Sequence, residues 1–309
     1  MVTKHFIRRK FNILAMLSVV GVLLLAACGG STSTSPTSTP TSAPAATSIP
    51  TIPTITGIPS ISSSIPLKHV PTGTADLSWN PSSHALTVKI SLVGLAPSSM
   101  HPSHIHTGSC ANQGNVIYPL TTLVADAHGV ASATTVVNNV ANGIPATGWY
   151  VNVHNGPGLS TNDQFLPIVC ADVANSNTSA SAAQSVHLML QSAPPASAGE
   201  TVSGMAQLTL SSTMLTIKLT LSGLEPNSMH AAHIHSGSCE SQGPVVIPLT
   251  PVMADASGNA TETTTVNLAN LNVTTIPPTG WYINVHHSTA LSTQTGFDPI
   301  ACGNVSLGS

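Results

Sequence analysis

The 309-residue chain is only 6% charged, and seven Lys and Arg against ten Asp and Glu leave a formal charge of −3. Lys4, Arg8, Arg9 and Lys10 all precede residue 11, so the remainder sets three lysines (Lys68, Lys89, Lys218) against every acidic residue, a formal −7 without any arginine. A surface of that sign excludes nucleic acid and anionic headgroups as natural partners.

Behind the N-terminal cations, Ile13 to Ala27 is an uncharged, mostly apolar run. It falls short of the ~20 residues a membrane-spanning helix needs and has the length of a signal-peptide core. The run ends Leu25-Ala26-Ala27-Cys28-Gly29, which resembles a bacterial lipobox. The resemblance implies a signal peptide over 1–27, lipid on Cys28 and an extracytoplasmic protein anchored to the bacterial cell membrane; an uncleaved anchor is the alternative. Residues 28–65 read as a linker: from Ser31 to Pro66, 26 of 36 residues are Ser, Thr or Pro and none is charged. Such a composition buries too little apolar surface to offset its ordering entropy, so a disordered, extended stalk is expected.

Beyond the stalk the periodicity is two. Leu86-Thr87-Val88-Lys89-Ile90-Ser91-Leu92 alternates strictly, as does Leu215-Thr216-Ile217-Lys218-Leu219-Thr220-Leu221, the pattern of half-buried strands. Further strands are expected around Thr74–Trp79, His104–His106, Val116–Leu120, Ala131–Val137 and Trp149–His154. Turn residues Gly94, Pro97, Asp126 and Gly129 punctuate them. Many short strands and no sustained helical period predict an all-β, antiparallel sandwich.

The chain then repeats itself. Met100-His101-Pro102-Ser103-His104-Ile105-His106-Thr107-Gly108-Ser109-Cys110 returns as Met229-His230-Ala231-Ala232-His233-Ile234-His235-Ser236-Gly237-Ser238-Cys239. Thr147-Gly148-Trp149-Tyr150-Val151-Asn152-Val153-His154 returns as Thr279-Gly280-Trp281-Tyr282-Ile283-Asn284-Val285-His286. A period this long is a duplicated domain rather than a solenoid unit. One sandwich is expected over 66–174 and a second over 184–309, joined by a polar linker at 175–183.

Apart from Cys28, each repeat holds two cysteines at matching places, Cys110 with Cys170 and Cys239 with Cys302. One disulfide per repeat is expected, which an oxidising exterior permits; thiolate metal ligands are the alternative. His104 and His106 lie two apart on one strand and share a face, and His154 shares a strand face with Tyr150 and Asn152. Two strands can therefore join His104, His106 and His154, and in the second repeat His233, His235 and His286. Three imidazoles suit copper, with zinc as the alternative. His101 and His230 stand as optional further ligands, Met100 and Met229 as core packing beneath a loop, and His287 as a surface residue.

The motifs HIHxGSC, GxVxxPL, DxxG and GWYxNVH resemble the CHRD domain, the module named for its repeats in chordin, over nearly all of both copies. The same residues look like a reduced Cu,Zn superoxide dismutase: His104, His106 and His154 as copper-type ligands, with Cys110 and Cys170 closing a disulfide. That resemblance implies a Greek-key β-sandwich. The bridging histidine, the zinc loop and the guiding arginine of the dismutases have no counterpart here. Three functions follow: metal binding or buffering, a structural or adhesive surface module meeting a cell-surface or matrix partner, and a copper-only dismutase-like enzyme. Nothing pairs a nucleophile with a general base, and no phosphate-binding loop appears.

Overall fold

Alternation becomes burial along Ala85–Val93, where Leu86, Val88, Ile90 and Leu92 are at most 2% exposed while Lys89 faces solvent. The computed structural model describes residues 60–191, 201–271 and 276–306, all within one compact unit, Thr54–Ser309. The expected signal peptide, Cys28 and most of the stalk lie outside the described residues.

The strands of the first repeat are β1 (Ser60–His69), β2 (Thr72–Asn80), β3 (Ala85–Val93), β4 (Met100–His101), β5 (Ser103–Gly108), β6 (Gln113–Pro119), β7 (Leu123–Val124), β8 (Ala131–Val137), β9 (Trp149–His154) and β10 (Pro167–Asp172), with a short helix α1 (Asn162–Phe165) before the last. The second repeat gives β11 (Gln184–Leu190), β12 (Ser203–Ser211), β13 (Met214–Ser222), β14 (Met229–His230), β15 (Ala232–Ser238), β16 (Ser241–Pro248), β17 (Val252–Met253), β18 (Ala260–Asn267), β19 (Trp281–His286), α2 (Gln294–Phe297) and β20 (Pro299–Asn304). Every ladder is antiparallel. One sandwich packs the sheet β11-β2-β3-β8 on the sheet β10-β9-β5-β6. The other is a single eight-stranded sheet, β16-β15-β19-β20-β1-β12-β13-β18, folded over its own core.

The repeats along the chain and the sandwiches in space are not the same objects, because each repeat lends its first strand to the other. β1 pairs with β12 from Ser60↔Ser211 to Leu67↔Gly204 and with β20 at Lys68↔Cys302 and His69↔Ala301. β11 pairs with β2 from Gln184↔Trp79 to Leu190↔Gly73. Leu67 opposite Gly204 thus repeats Leu190 opposite Gly73, with the partners crossed. Ile65 and Leu67 are buried in the second core, and Val186, Leu188 and Leu190 in the first. Gly303 makes room for the guest strand, since a Cβ there would stand 2.6 Å from the Pro66 carbonyl oxygen.

Residues 60–65, expected as linker, are therefore strand. Their serines and Pro66 masked an alternation, Ile61, Ser63, Ile65, Leu67, whose last two members go fully into the core. Burial of five such side chains across the exchange contributes on the order of 10 kcal/mol as an upper bound. Further bonds cross between repeats: Gln294 donates from Nε2 to the carbonyls of Met100 and Asn155, both at 2.9 Å, and accepts from Met100 N at 2.9 Å. Gln242 N donates to His128 O at 3.0 Å.

A chain nicked at an inserted protease site after Ala180, an exposed linker position, is accordingly expected to elute as one species under native conditions. Two separated peaks would refute the exchange, because sandwiches made of their own strands would part once the linker is cut.

Candidate metal centre

The site is built on two adjacent strands. β5 lies against β9 with His104↔Asn152 and His106↔Tyr150 in register, and Ser103↔Val153 leaves His154 one step beyond. β15 and β19 repeat this as His233↔Asn284 and His235↔Tyr282. His104 and His106 share a face through the strand period, and His154 reaches the same face from its neighbour. The ring centroids of His104, His106 and His154 stand 5.2 to 6.0 Å apart, and those of His233, His235 and His286 stand 5.2 to 6.1 Å apart.

In both triads one nitrogen from each ring lies within 4.8 Å of the others, so each group could hold a metal ion. Ligands at about 2.0–2.1 Å from one centre lie about 3.3–3.6 Å apart in tetrahedral or trigonal geometry. In the second triad His286 Nε2 and His233 Nδ1 are already 3.1 Å apart.

The backbone fixes which nitrogen carries the lone pair. His106 Nδ1 meets Gly114 O at 3.1 Å, and His235 Nδ1 meets Gly243 O at 2.9 Å. His154 Nδ1 meets Phe165 O at 2.7 Å, and His286 Nδ1 meets Phe297 O at 2.6 Å. A carbonyl only accepts, so each Nδ1 is the protonated atom and each Nε2 keeps its lone pair for a ligand. His106 Nε2 and His235 Nε2 are buried without a hydrogen-bond partner in the protein, as is His104 Nδ1. Buried polar atoms are ordinarily paired, so three unpaired ring nitrogens gathered at the two triads call for an explanation, and an ion is one that fits them. With His286 Nδ1 protonated, His233 Nδ1 is the donor to His286 Nε2, and a cation bound by this pair would replace that proton.

Burial keeps the rings neutral, as metal ligands must be. Desolvation, with the His154 and His106 rings beside it, pushes His104 down to about 4. Burial also brings His286 to about 4 against the opposing bond to Phe297 O. His106, His154, His233 and His235 are lowered chiefly by the same burial.

His101 and His230, the optional ligands, stand elsewhere. His101 is fully buried, with Nε2 at 2.7 Å from Ser99 Oγ and Nδ1 at 3.0 Å from His154 O. His230 repeats this with Ser228 Oγ at 2.6 Å and His286 O at 2.9 Å. Both nitrogens of each ring are engaged, so these histidines lock the ligand strand rather than extend the triad. Met100 and Met229 are 44% and 46% exposed rather than core, because they sit on the two-residue strands β4 and β14, whose inward positions are taken by His101 and His230. His287 is half-buried beside Asp298, Asn155 and His101 between the repeats, not on the open surface.

Three supports were not legible as such. α1 and α2 deliver the Phe165 and Phe297 carbonyls, and a capping threonine opens each: Thr161 accepts from Gln164 N and Thr293 from Gly296 N, while only the first carries the full Thr-x-x-Gln capping-box pattern. The Gly114 and Gly243 carbonyls follow bulged register after His106 and His235. Tyr150 and Tyr282 stack on His106 and His235 at 4.9 and 5.0 Å, each at 22°. Burial pushes Tyr282 up to about 12 and raises Tyr150, so the phenols stay protonated and act as walls. Each tyrosine also packs on the disulfide of its sandwich, Cys110–Cys170 or Cys239–Cys302.

With this geometry described, the comparison with known families is decisive: the CHRD domain model matches residues 60–157 and 178–291, more than half of the chain. The chain belongs to the CHRD domain family. Its two CHRD segments begin at the exchanged strands, since the first match starts at Ser60 of β1 and the second ahead of β11. No curated protein matches the chain. The disulfides place the CHRD sandwiches in an oxidising environment, and among the described residues no helix is long and apolar enough to cross a membrane.

Proposed function

We propose that each CHRD sandwich is a metal-binding module, with copper as its ion, and that the protein binds or buffers that metal outside the cytoplasm while tethered to the membrane through lipid on Cys28. The observation that carries this reading is the convergence of three imidazoles in each sandwich, His104, His106 and His154 and again His233, His235 and His286, with His104 Nδ1, His106 Nε2 and His235 Nε2 buried and unpaired. An all-imidazole triad without a carboxylate favours borderline ions, copper ahead of zinc. When bound, the ion would supply Lewis acidity and, for copper, a one-electron couple. The chain itself supplies neutral donors in fixed tautomers, a tyrosine wall and a backbone collar. The membrane anchor rests on the lipobox-like Leu25-Ala26-Ala27-Cys28.

Titration of the chelator-treated chain with Cu(II), read by elemental analysis after desalting, is expected to give one ion per triad. The pair His106→Ala and His235→Ala is expected to abolish uptake with the fold retained; undiminished uptake would remove the proposed site. The enzyme alternative is decided by superoxide consumption of the copper-loaded protein. A rate no higher than that of free copper is expected, since a formal −7 surface without arginine repels a small anion.

A further inference from the structure

The six methionines of the described sandwiches are all exposed: Met100 44%, Met189 59%, Met205 40%, Met214 41%, Met229 46% and Met253 61%. None is in the core, which is made chiefly of Val, Leu, Ile and Ala. Methionine ordinarily belongs among the buried residues, where its flexible thioether fills gaps. Here the partition is reversed. The large exposed hydrophobics among the described residues are six methionines, five valines, one leucine, one isoleucine and one phenylalanine, and methionine is the type of which every described copy is exposed. The positions are distributed over the surface: Met189 and Met205 on outward faces of β11 and β12, Met214 at the start of β13, and Met229 opposite Met253 across β14 and β17.

A second observation concerns the other sulfur. All four described cysteines are in disulfides, so among the described residues the thioethers are the whole supply of reduced sulfur. We propose that these methionines form a sacrificial thioether surface that consumes hydroperoxides. A sulfur lone pair attacks the hydroxyl oxygen of the peroxide; an S–O bond forms as the O–O bond breaks, and the departing alkoxide or hydroxide takes the proton from that oxygen. Sulfur loses two electrons, the peroxide gains two, and the products are methionine sulfoxide and an alcohol or water. Oxidation of a buried methionine puts a polar group into the core and disrupts it. At 40–61% exposure the new oxygen points into water, so the reaction proceeds without unfolding and is open to repair by sulfoxide reductases.

The test is independent of the histidine triads when done on metal-free, chelator-treated protein. Dilute hydrogen peroxide, followed by peptide mass spectrometry, is expected to convert all six methionines at rates near that of free methionine, with Met253 and Met189 leading. The thermal midpoint should move by less than about 2 °C, the shift that 1 kcal/mol causes in a folded region of roughly 250 residues. A variant with all six changed to leucine should stay folded and consume six fewer peroxide equivalents. Three or more methionines lagging free methionine by on the order of tenfold would overturn the proposal, since shielded sulfur reacts slowly; so would unfolding on oxidation.

Discussion

Reduction of the two disulfides is expected to destabilise each sandwich by about 4 kcal/mol, the chain-entropy value for loops of this length. The loops span 60 and 63 residues, Cys110–Cys170 and Cys239–Cys302. A loss of this size is a large fraction of the stability of an ordinary domain. Two features of the structure make it more than a local loss. Cys302 stands opposite Lys68 of the exchanged strand β1, so freeing it loosens the strand that joins both repeats. Each disulfide also packs on the tyrosine that walls a ligand histidine, Tyr150 against His106 and Tyr282 against His235. Urea unfolding with and without reductant, read by far-UV circular dichroism, measures the first effect; Cys170→Ala and Cys302→Ala separate the two sandwiches. A change under 1 kcal/mol would show that packing alone holds them. If the triads take copper as proposed, the affinity of the still-folded reduced protein for it should fall as well, and an unchanged affinity would show that the packing of each tyrosine on its disulfide does not position the triad.

Much of this was legible because the repeat supplied an internal control. Period two at Leu86–Leu92 and Leu215–Leu221 gave strands in both copies, and the H-x-H spacing placed His104 and His106 on one face before any distance was known. The distant His154 was found by its strand parity, which a sheet preserves over any sequence separation. The strand exchange was not legible. Parity specifies which residues face inward but not which sheet receives them, and Leu67 and Leu190 fit equivalent slots equally well. His101 and His230 share the repeated phrase with two members of each triad, and spacing cannot tell a ring held by Ser99 Oγ and His154 O from one left open. The backbone carbonyls of Gly114 and Phe165 were invisible for a simpler reason: every residue has one, and only the fold aims it.

Acid is expected to unfold the metal-free protein between pH 6.5 and pH 4, and His101 is the residue that shows why. It is completely buried, and desolvation pushes it down to about 4 from 6.5 despite opposing bonds to the His154 and Asn155 backbone. In the unfolded chain the ring regains its ordinary affinity, so over that window the unfolded state binds the extra proton. Stability contributed by the neutral ring is thus complete above pH 6.5, falls as the pH drops, and is exhausted near pH 4. A depression of this size corresponds to about 3 kcal/mol for a group so fully removed from water. His104 and His286 are displaced the same way, so their losses add in direction. Thermal midpoints of chelator-treated protein across this range should fall steeply, and His101→Gln should flatten the fall by the share of one ring while lowering the midpoint at neutral pH. A midpoint that stays level from pH 7 to pH 4.5 would mean that His101 is protonated in the folded state, and the lock it forms with Ser99 and the His154 carbonyl would then need a different proton arrangement.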